Sequence, residues 1–266
     1  MDTKTILLDV GGTFIKRPGL PAVPIPSSGS REQIAAALRE AVQSPGPGAR
    51  VGVAIPGPFD YSGGVFLMKH KFAAVYGDSF RTLAGLPEDA DLKFLHDVAA
   101  ILAGAVRMLG LEKSNVALVT LGTGLGFANA VQGKVQFGPA GSPSISLWDQ
   151  PVGSGILEDR ISSRGISAAY SALTGDVLTP LEIATMAYEG NQEAIAVYKE
   201  TGALLGAALK EVLNGIDAKV LLVGGQISKS LSLMATPLQN ALSGIQIHPA
   251  PEGAVFEGLT SLFANH

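Results

Sequence analysis

The chain has 266 residues, which is enough for one large α/β domain or for two lobes. Apolar residues make up 47% and charged residues 16%, which excludes a disordered chain because such a chain buries too little apolar surface to offset its conformational entropy. The formal net charge is −4 without a basic run, which argues against nucleic-acid binding. The absence of cysteine excludes disulfides, thiol nucleophiles and cysteine-based zinc sites.

Two further classes are disfavoured by the sequence. The histidines do not have the HxH or HExxH spacing of a catalytic zinc site, so we expect no zinc. The first residues, MDTKTILLDVGG, contain an acidic residue and only a short apolar run, unlike a signal peptide. No stretch reaches the ~18 apolar residues of a membrane span. We therefore expect a cytoplasmic protein without membrane interactions.

The first predicted elements are two buried strands separated by a helix. Residues 5–10 form an apolar run that ends at Gly11-Gly12, which is typical of a strand entering a tight turn. Ser30 is a suitable N-cap for an amphipathic helix that ends before the SPGPG stretch. Residues 50–55 form the second strand, which Pro-Gly-Pro at 56–58 interrupts.

Further strands and helices alternate along the rest of the chain. A strand at 92–95 runs into His96-Asp97, after which the pattern is helical. The remaining elements predicted are strands at 116–121 and 127–131 around a glycine turn at 122–126, an irregular segment at 138–155, helices across 156–214, a strand at 220–223, and helices near 229–242 and 253–264. This alternation indicates α/β layers.

A strand that ends in a glycine turn occurs three times. The three segments are LLDVGGT at 7–13, LVTLGTG at 118–124 and LLVGGQ at 221–226. No repeat of fixed period and no low-complexity linker accompanies them. The recurrence suggests a duplicated core whose turns converge on one ligand.

The glycine turns have the composition of phosphate-binding loops. Gly11 and Gly12 let main-chain N–H groups approach an anion, Thr13 adds a hydroxyl donor, and Asp9 could hold hydrated Mg²⁺. The second turn is GxGxG, which misses the GxGxxG dinucleotide fingerprint, and the chain contains no P-loop. The third turn could let an adenine or ribose lie against the backbone. Taken alone, the first turn is equally explained as an ordinary hairpin, and the second and third are better explained as ordinary turns after a strand.

Asp97 is the most informative carboxylate in the sequence. It follows the strand at 92–95, at the position where α/β sheets place reacting groups. One interpretation is a helix cap, which is the commoner role for an Asp at this position. The other is a general base that accepts a proton from an attacking hydroxyl. His96 could bind a sugar or could be a half-buried residue at the end of the strand.

Together these motifs stand in the order found in the ROK family of sugar kinases, within the actin/hexokinase/Hsp70 ATPase superfamily. They are DVGGT at 9–13, PGP at 56–58, HDVAA at 96–100, TLGTGLG at 120–126 and VGGQIS at 223–228. The resemblance extends from about residue 5 to the C-terminus. It implies an α/β fold of two RNase H-like lobes with a central cleft. The small lobe would be 1–115, which the C-terminal helix 253–264 could complete, and the large lobe would be 116–252.

The resemblance also implies roles for individual residues. Asp97 would be the general base for a sugar hydroxyl, ATP the phosphoryl donor, and Asp9 a Mg²⁺ ligand through water. The donor-binding residues would be Gly11, Gly12, Thr13, Lys16, Gly122, Thr123, Gly124, Gly224, Gly225 and Gln226. The sugar-binding residues would be Gly57, His96, Asp97 and Glu158, the last within LEDRISSRGI at 157–166.

The sequence departs from the family pattern in three places. His96 replaces the usual Asn before the catalytic Asp, and GPAGSPSISLW at 138–148 replaces the usual GE(I/L)GH segment with its sugar-binding Glu and His. The zinc cluster CxCGxxGC is absent, its places falling on Asp149, Pro151 and Ile156. We therefore expect weak or unusual sugar recognition, because selectivity among hydroxyl isomers depends on polar groups that a wrong isomer leaves unpaired.

Three functions remain open at this stage. The leading one is a Mg²⁺-dependent kinase that phosphorylates a hexose or amino-sugar-like substrate with ATP. The first alternative is a polyphosphate-dependent glucokinase-like enzyme, because those enzymes share TLGTG and a similar length. The second is a catalytically idle protein that binds a sugar or nucleotide. We do not expect the family's DNA-binding repressors, whose winged helix has no room before a motif that begins at residue 9. A homodimer is expected by analogy.

Overall fold

The computed structural model describes residues 5–43 and 45–264. The strands are β1 Thr5–Val10, β2 Phe14–Arg17, β3 Leu20–Pro24, β4 Arg50–Ile55, β5 Phe59–Asp60, β6 Val65–Phe66, β7 Asp91–His96, β8 Val116–Leu121, β9 Leu125–Val131, β10 Lys134–Val135, β11 Pro151–Val152, β12 Gly155–Ile156, β13 Val220–Gly224 and β14 Gln246–Pro249. The α-helices are α1 Arg31–Val42, α2 Phe80–Ala84, α3 Asp97–Met108, α4 Leu157–Ile161, α5 Ser163–Thr174, α6 Pro180–Tyr188, α7 Gln192–Gly215, α8 Leu231–Ala241 and α9 Ala254–Ser261. Short 3₁₀ helices lie at Ala73–Val75, Pro139–Gly141 and Gln226–Ser230.

The two larger sheets have the same plan. In the first, the order is β3-β2-β1-β4-β7, with β1, β4 and β7 parallel and the hairpin strands β2 and β3 antiparallel. In the second, the order is β10-β9-β8-β13-β14, with β8, β13 and β14 parallel and β9 antiparallel to β8. Each sheet therefore starts from a strand, a glycine turn and a returning strand, and then adds parallel strands.

The chain divides into two compact units. The first contains the residues up to Gly110, Val135–Ser144, and the residues from Glu252 onward. The second contains Leu111–Lys134 and Ile145–Pro251. Compared with the lobes expected from the sequence, 111–115 lies in the second unit and 135–144 in the first. Residues 111–115 precede β8 directly, and the Asn115 side chain donates to the carbonyl of Ile216 (N···O 2.9 Å), which binds this segment to the second unit.

The first unit buries both faces of its sheet. On one face, Leu8 of β1 and Val53 of β4 pack with Leu38 of α1, all of them fully buried. The other face is covered by α3 and α9. These two helices are in backbone contact, because a Cβ atom built on Gly104 would lie 1.8 Å from the carbonyl oxygen of Ala254. The C-terminal helix thus completes the first unit.

The second unit has a larger aliphatic core built around the helix α7. Leu205 and Leu209 of α7 are fully buried with the strand residues Val119 and Leu221. Helix α8 approaches α7 closely at Gly206, where a Cβ atom would meet the Cβ of Ala241 at 2.6 Å. This core contains few aromatic residues, because closely packed aliphatic side chains can fill it at the usual packing density of protein interiors.

Most predicted elements are present, and the differences have local causes. Strand β3 forms inside the segment 18–30, because Val23 is buried opposite Ile15 and the flanking prolines lie on an edge strand, where a missing N–H is tolerated. The segment 138–155 contains β11, which pairs with β12. Strand β9 starts at Leu125, so the glycine turn before it is shorter than 122–126. Within 5–43 and 45–264, no helix is both long and apolar enough to cross a bilayer.

Candidate active site

One edge of the first sheet collects several of the predicted residues. Strands β1, β4 and β7 are parallel and in register, with Asp9 beside Ala54 and Ala54 beside Leu95. Their carboxyl ends therefore lie at the same edge. The β1–β2 turn, the loop that begins at Pro56, and the β7–α3 junction at His96-Asp97 all follow from this edge.

The β1–β2 turn is a closed hairpin. The N–H of Gly11 donates to the carbonyl of Phe14 (N···O 2.9 Å), and the carbonyl of Thr13 accepts from Ile25 on the far side of β3 (N···O 2.9 Å). Asp9 stands opposite Lys16 across the hairpin, and Lys16 Nζ lies 3.5 Å from Asp9 Oδ2. The side chain of Thr13 is exposed, so its hydroxyl is accessible to a ligand.

Asp9 is a largely buried carboxylate in a charged environment. Burial raises its pKa, the charge of Lys16 lowers it, and the charge of Asp97 raises it again, with a net result above the usual value. The interaction with Asp97 shows that two carboxylates share this edge of the sheet. Two carboxylates of like charge at one edge favour a bound cation.

Asp97 is held by one oxygen only. Its Oδ1 lies 2.7 Å from Nδ1 of His96 and accepts the backbone N–H of Val98 (N···O 2.8 Å). Within the described residues, Oδ2 makes no hydrogen bond, and 35% of the side chain is exposed. Burial alone would raise the pKa of Asp97, but the hydrogen bonds and charge of His96, the Val98 N–H and the charge of Lys71 hold that pKa below its usual value. Asp97 is therefore an ionised carboxylate with one oxygen available at the start of α3.

His96 packs in a small niche behind Asp97. Its Nδ1 also lies 3.4 Å from the N–H of Val98, as in an N-cap. The ring of Tyr61 lies 5.7 Å from the His96 ring, and the Tyr61 hydroxyl donates to the carbonyl of Ile55 (3.1 Å). A Cβ atom on Gly57 would stand 3.6 Å from His96 Nε2 and 3.3 Å from the Tyr61 hydroxyl. Gly57 thus lies beside His96 and leaves space for both rings.

A cation lies against the first glycine turn. A Cβ atom on Gly12 would lie 3.6 Å from both Cδ and Nζ of Lys71. Lys71 precedes Phe72, which is fully buried and has a left-handed backbone (φ 54°). The N–H of Phe72 donates to the carbonyl of Ser27 (N···O 2.6 Å), which brings the loop to the turn.

The second glycine turn is held at both ends by the segment at the start of α4 and α5. The carbonyl of Gly122 accepts the backbone N–H of Ser163 (2.8 Å) and its hydroxyl (2.9 Å). The N–H of Leu125 donates to Glu158 Oε2 (2.9 Å), and a Cβ on Gly124 would lie 2.8 Å from that oxygen. Thr123 at the tip of the turn is exposed.

The third glycine turn packs against the second. Gly224 pairs with Thr120 across the parallel strands, and Gly225 adopts a left-handed backbone (φ 84°). A Cβ atom on Gly225 would lie 2.2 Å from the carbonyl oxygen of Leu121, so glycine is needed there for space as well as for conformation. Gln226 follows on the surface at the start of a 3₁₀ helix.

The structure thus gathers the predicted residues into two groups, one in each unit. Glu158 belongs with the second turn, where one oxygen binds the turn and the other lies 3.7 Å from Arg164. The group in the first unit is Asp9, Gly11, Gly12, Thr13, Lys16, Gly57, His96 and Asp97, and the group in the second unit is Gly122, Thr123, Gly124, Glu158, Gly224, Gly225 and Gln226.

Three contacting residues were missed from the sequence. Tyr61 and Lys71 join the first group and Ser163 the second. Ser163 lies within LEDRISSRGI but received no role there, and Tyr61 and Lys71 belong to no motif. The basic letters KHK at 69–71 are the one signal that could have suggested a cation near the turn.

The region expected to lack the zinc cluster forms a hairpin through backbone pairing alone. Pro151 pairs with Ile156 and Val152 with Gly155. Throughout the part of the chain that the structure describes, no group of three or more His, Asp or Glu side chains is arranged to hold a metal ion. The pair Asp9 and Asp97 still suits Mg²⁺, which commonly binds through one or two carboxylates and completes its shell with water and substrate phosphate.

Comparison with known families gives a match over the second half of the chain. The model described as the ROK family matches residues 151–256. This part of the chain is similar to the ROK family. The match includes Glu158 and the third glycine turn. It confirms the resemblance inferred from the motifs.

Individual relatives extend the comparison. The N-acetyl-D-glucosamine kinase of Haemophilus influenzae is 27% identical to this chain over 128 residues. The alignment covers 41% of this chain and 42% of that protein, so the chain spans less than half the length of this curated relative. The structure of a ROK family glucokinase from Streptomyces griseus in complex with glucose and AMPPNP has a TM-score of 0.76 at 20% identity, covering 97% of this chain and 98% of that one. An inorganic polyphosphate/ATP-glucomannokinase from Arthrobacter has a TM-score of 0.68 at 23% identity, covering 98% of each. The expected α/β fold of the hexokinase type is confirmed.

Proposed function

We propose that this chain is a carbohydrate kinase that transfers a phosphoryl group to a sugar hydroxyl, with Asp97 as the general base. The observation that carries the proposal is the arrangement at the edge of the first sheet. An ionised carboxylate with an available oxygen stands at the β7–α3 junction, and a glycine hairpin with a cation against it follows β1 at the same edge. A hydroxyl acceptor and a phosphate donor need these two features.

In the proposed reaction, Asp97 Oδ2 accepts the proton of the sugar hydroxyl. The hydroxyl oxygen forms a bond to the terminal phosphorus of the donor while the bond from that phosphorus to its bridging oxygen breaks. The products are the sugar phosphate and the donor shortened by one phosphoryl group. General-base assistance supplies about 10²–10⁴-fold in rate, and the rest comes from positioning and charge neutralisation.

The donor would be bound by backbone N–H groups and lysine. In the first unit these are the N–H groups of Gly12 and Thr13 in the turn that the Gly11 N–H closes, with Lys16 beside it. In the second unit, the residues 122–124 and 224–226 stay predicted donor ligands by the family resemblance. Asp9 would hold Mg²⁺, which neutralises phosphate charge when it is bound. The Lys16–Asp9 ion pair supports this role, because the charge of Lys16 opposes the rise in the Asp9 pKa that burial causes.

The sugar would be bound beside Asp97 by His96 and the backbone at Gly57. Glu158 stays a predicted sugar ligand by the family resemblance alone. The names of the relatives point to hexoses and N-acetylated hexosamines. The site lacks the usual Glu and His of the segment at 138–148, so we propose weak affinity and modest discrimination between hydroxyl isomers. A homodimer is part of the proposal and is tested by light scattering.

The test is a panel of hexoses, hexosamines and their N-acetyl derivatives, each assayed for sugar phosphate with ATP and with polyphosphate in the presence of Mg²⁺. Turnover with at least one acceptor supports the proposal, and the better donor decides between an ATP-dependent and a polyphosphate-dependent kinase. Binding of a sugar by calorimetry without turnover from either donor would contradict it in favour of an idle binding protein. A micromolar Kd for glucose would contradict the weak sugar affinity proposed for a site without the usual Glu and His.

A further inference from the structure

Lys71 is a cation that the motifs do not include and that the structure brings to the first glycine turn. Its Nζ stands 3.6 Å from the position that a Cβ on Gly12 would occupy. This is an ordinary van der Waals distance, so the Lys71 amine lies directly against the turn. The bare turn and the lysine therefore form one surface, with backbone N–H groups and an ammonium group beside each other.

The backbone position of Lys71 is fixed by the next residue, Phe72, and not by an ion pair of the Lys71 side chain. Phe72 is fully buried in the core of the first unit and is hydrogen-bonded through its N–H to Ser27. The left-handed backbone of Phe72 turns the chain at this point, so that the Lys71 side chain lies over the turn while the phenyl ring enters the core. This anchoring limits the freedom that a lysine on a surface loop would otherwise have.

Lys71 has no direct partner for its charge among the described residues. Lys16 has its ion pair with Asp9, whereas Lys71 has no ion pair, hydrogen bond or aromatic partner there. The charge of Lys71 also lowers the pKa of Asp97. An ammonium group beside the Gly12 turn could therefore neutralise negative charge that develops on a bound phosphate.

We propose that Lys71 binds the terminal phosphates of the phosphoryl donor over the Gly11–Thr13 turn. The inference rests on the proposed function, because it assigns a residue to the donor site. The ligand chemistry is a phosphoanhydride chain, which a nucleoside triphosphate and an inorganic polyphosphate share. A lysine suits this ligand because its ammonium group acts as a compact point charge with three rotatable donors.

The first experiment measures binding of tripolyphosphate by calorimetry, without sugar and without turnover. The variant Lys71→Met keeps most of the side-chain length and removes the charge, and Lys71→Arg keeps a charge. The matched control is Lys69→Met, two residues earlier, whose amine lies over the ring of Tyr76 at 5.5 Å. We expect Lys71→Met to weaken binding about 10- to 100-fold, as for loss of a charge-assisted hydrogen bond. Lys71→Arg should recover most of the affinity, and Lys69→Met should change it less than twofold.

A second experiment uses the unaltered protein, so its result does not depend on whether the Lys71 variants fold. Amine acetylation followed by mass spectrometry should show that tripolyphosphate protects Lys71, with Lys69 as the internal reference. Repeating it with ATP and with long-chain polyphosphate distinguishes the two sources of the phosphate chain.

Binding by Lys71→Met within twofold of the parent, equal acetylation of Lys71 with and without ligand, or no binding by the parent would each overturn the proposal. Failure of every sugar in the kinase assay would leave this result unaffected. The two proposals can therefore fail separately.

Discussion

Replacing Asp97 by Asn separates a general base from a side chain that only supports the first turn of the helix. Asp97 is the first residue of α3, and His96 is the N-cap, so the cap that the sequence suggested for Asp97 lies one residue earlier. The amide keeps the shape of the side chain, and its Oδ1 can still accept the N–H of Val98, as the carboxylate does at 2.8 Å. The amide cannot take up the proton of an acceptor hydroxyl. We therefore expect kcat with the best acceptor to fall about 10²–10⁴-fold.

The same substitution should lower the free energy of unfolding, mainly because it weakens the hydrogen bond between residue 97 and His96. The carboxylate makes a charge-assisted hydrogen bond to Nδ1 at 2.7 Å, and an amide makes a neutral one, a difference of about 1 kcal/mol. Because about a third of the Asp97 side chain is exposed, screening by solvent places the loss at or below that figure. For a protein of this size, 1 kcal/mol corresponds to a Tm lower by about 2–4 °C.

The pH dependence of this stability loss follows from the lowered pKa of Asp97. A carboxylate with a folded-state pKa below its usual value of ~3.9 stabilises the fold above that pH, and this stabilisation disappears as the pH falls through the lower, folded-state pKa. The Tm difference between parent and Asp97→Asn should accordingly be constant near neutrality and shrink below about pH 4.

The assay measures kcat and Tm on one preparation of each protein. The matched control is Asp91→Asn at the other end of β7, where the exposed carboxylate lies 3.8 Å from Lys93, and we expect both quantities to stay near those of the parent. If Asp97→Asn turns over within threefold of the parent, Asp97 only supports the first turn of α3 and the catalytic assignment is refuted. Glu158 would then be the next carboxylate to test.

Three other variants test separate parts of the description. Asp9→Asn should abolish Mg²⁺-dependent transfer. At pH 7 it should melt no lower than the parent, because burial raises the folded-state pKa of Asp9 and the contribution of such a group to the stability of the fold is lost as the pH rises through that pKa. A Tm below that of the parent would contradict this. Gly104→Ala should destabilise by about 1–3 kcal/mol in urea melts because its Cβ forces α3 from α9, whereas Gly215→Ala, with nothing within 4 Å, should be neutral. Glu158→Ala should raise the KM of the donor more than that of the sugar, since it releases the Leu125 N–H in the second turn; the opposite order would make Glu158 primarily a sugar ligand.

The sequence was sufficient where the signal is local. Ser30 caps α1 as predicted, and Gln33 completes a capping box because both partners lie within one turn of helix. The β7–α3 junction at Asp97 was predicted because an apolar run gives way to a helical pattern at that residue. The glycine turns were predicted because Gly-Gly after an apolar run limits the chain to few conformations.

Features that depend on distant partners were not predictable in the same way. Strand β3 contains two prolines and looks like a loop until β2 is available to pair with it. Glu158 was assigned to the sugar by its place in a motif, but its contact with Leu125, 33 residues away, depends on how α4 packs against β9. The assignment to the sugar stays a prediction, and the contact with the turn is what the structure adds.

The cation beside the first glycine turn, Lys71, could be identified only from the structure. A glycine turn supplies N–H groups but no net charge, and Lys16, the lysine of the same hairpin, is committed to Asp9. A triphosphate bound there would meet two carboxylates, Asp9 and Asp97, so a further positive charge beside the turn would favour binding. The chain supplies it from a loop about 60 residues after the turn, through the burial of Phe72, and no spacing rule connects the two segments. The motif therefore identifies where phosphate can approach, whereas the fold decides which cation meets it.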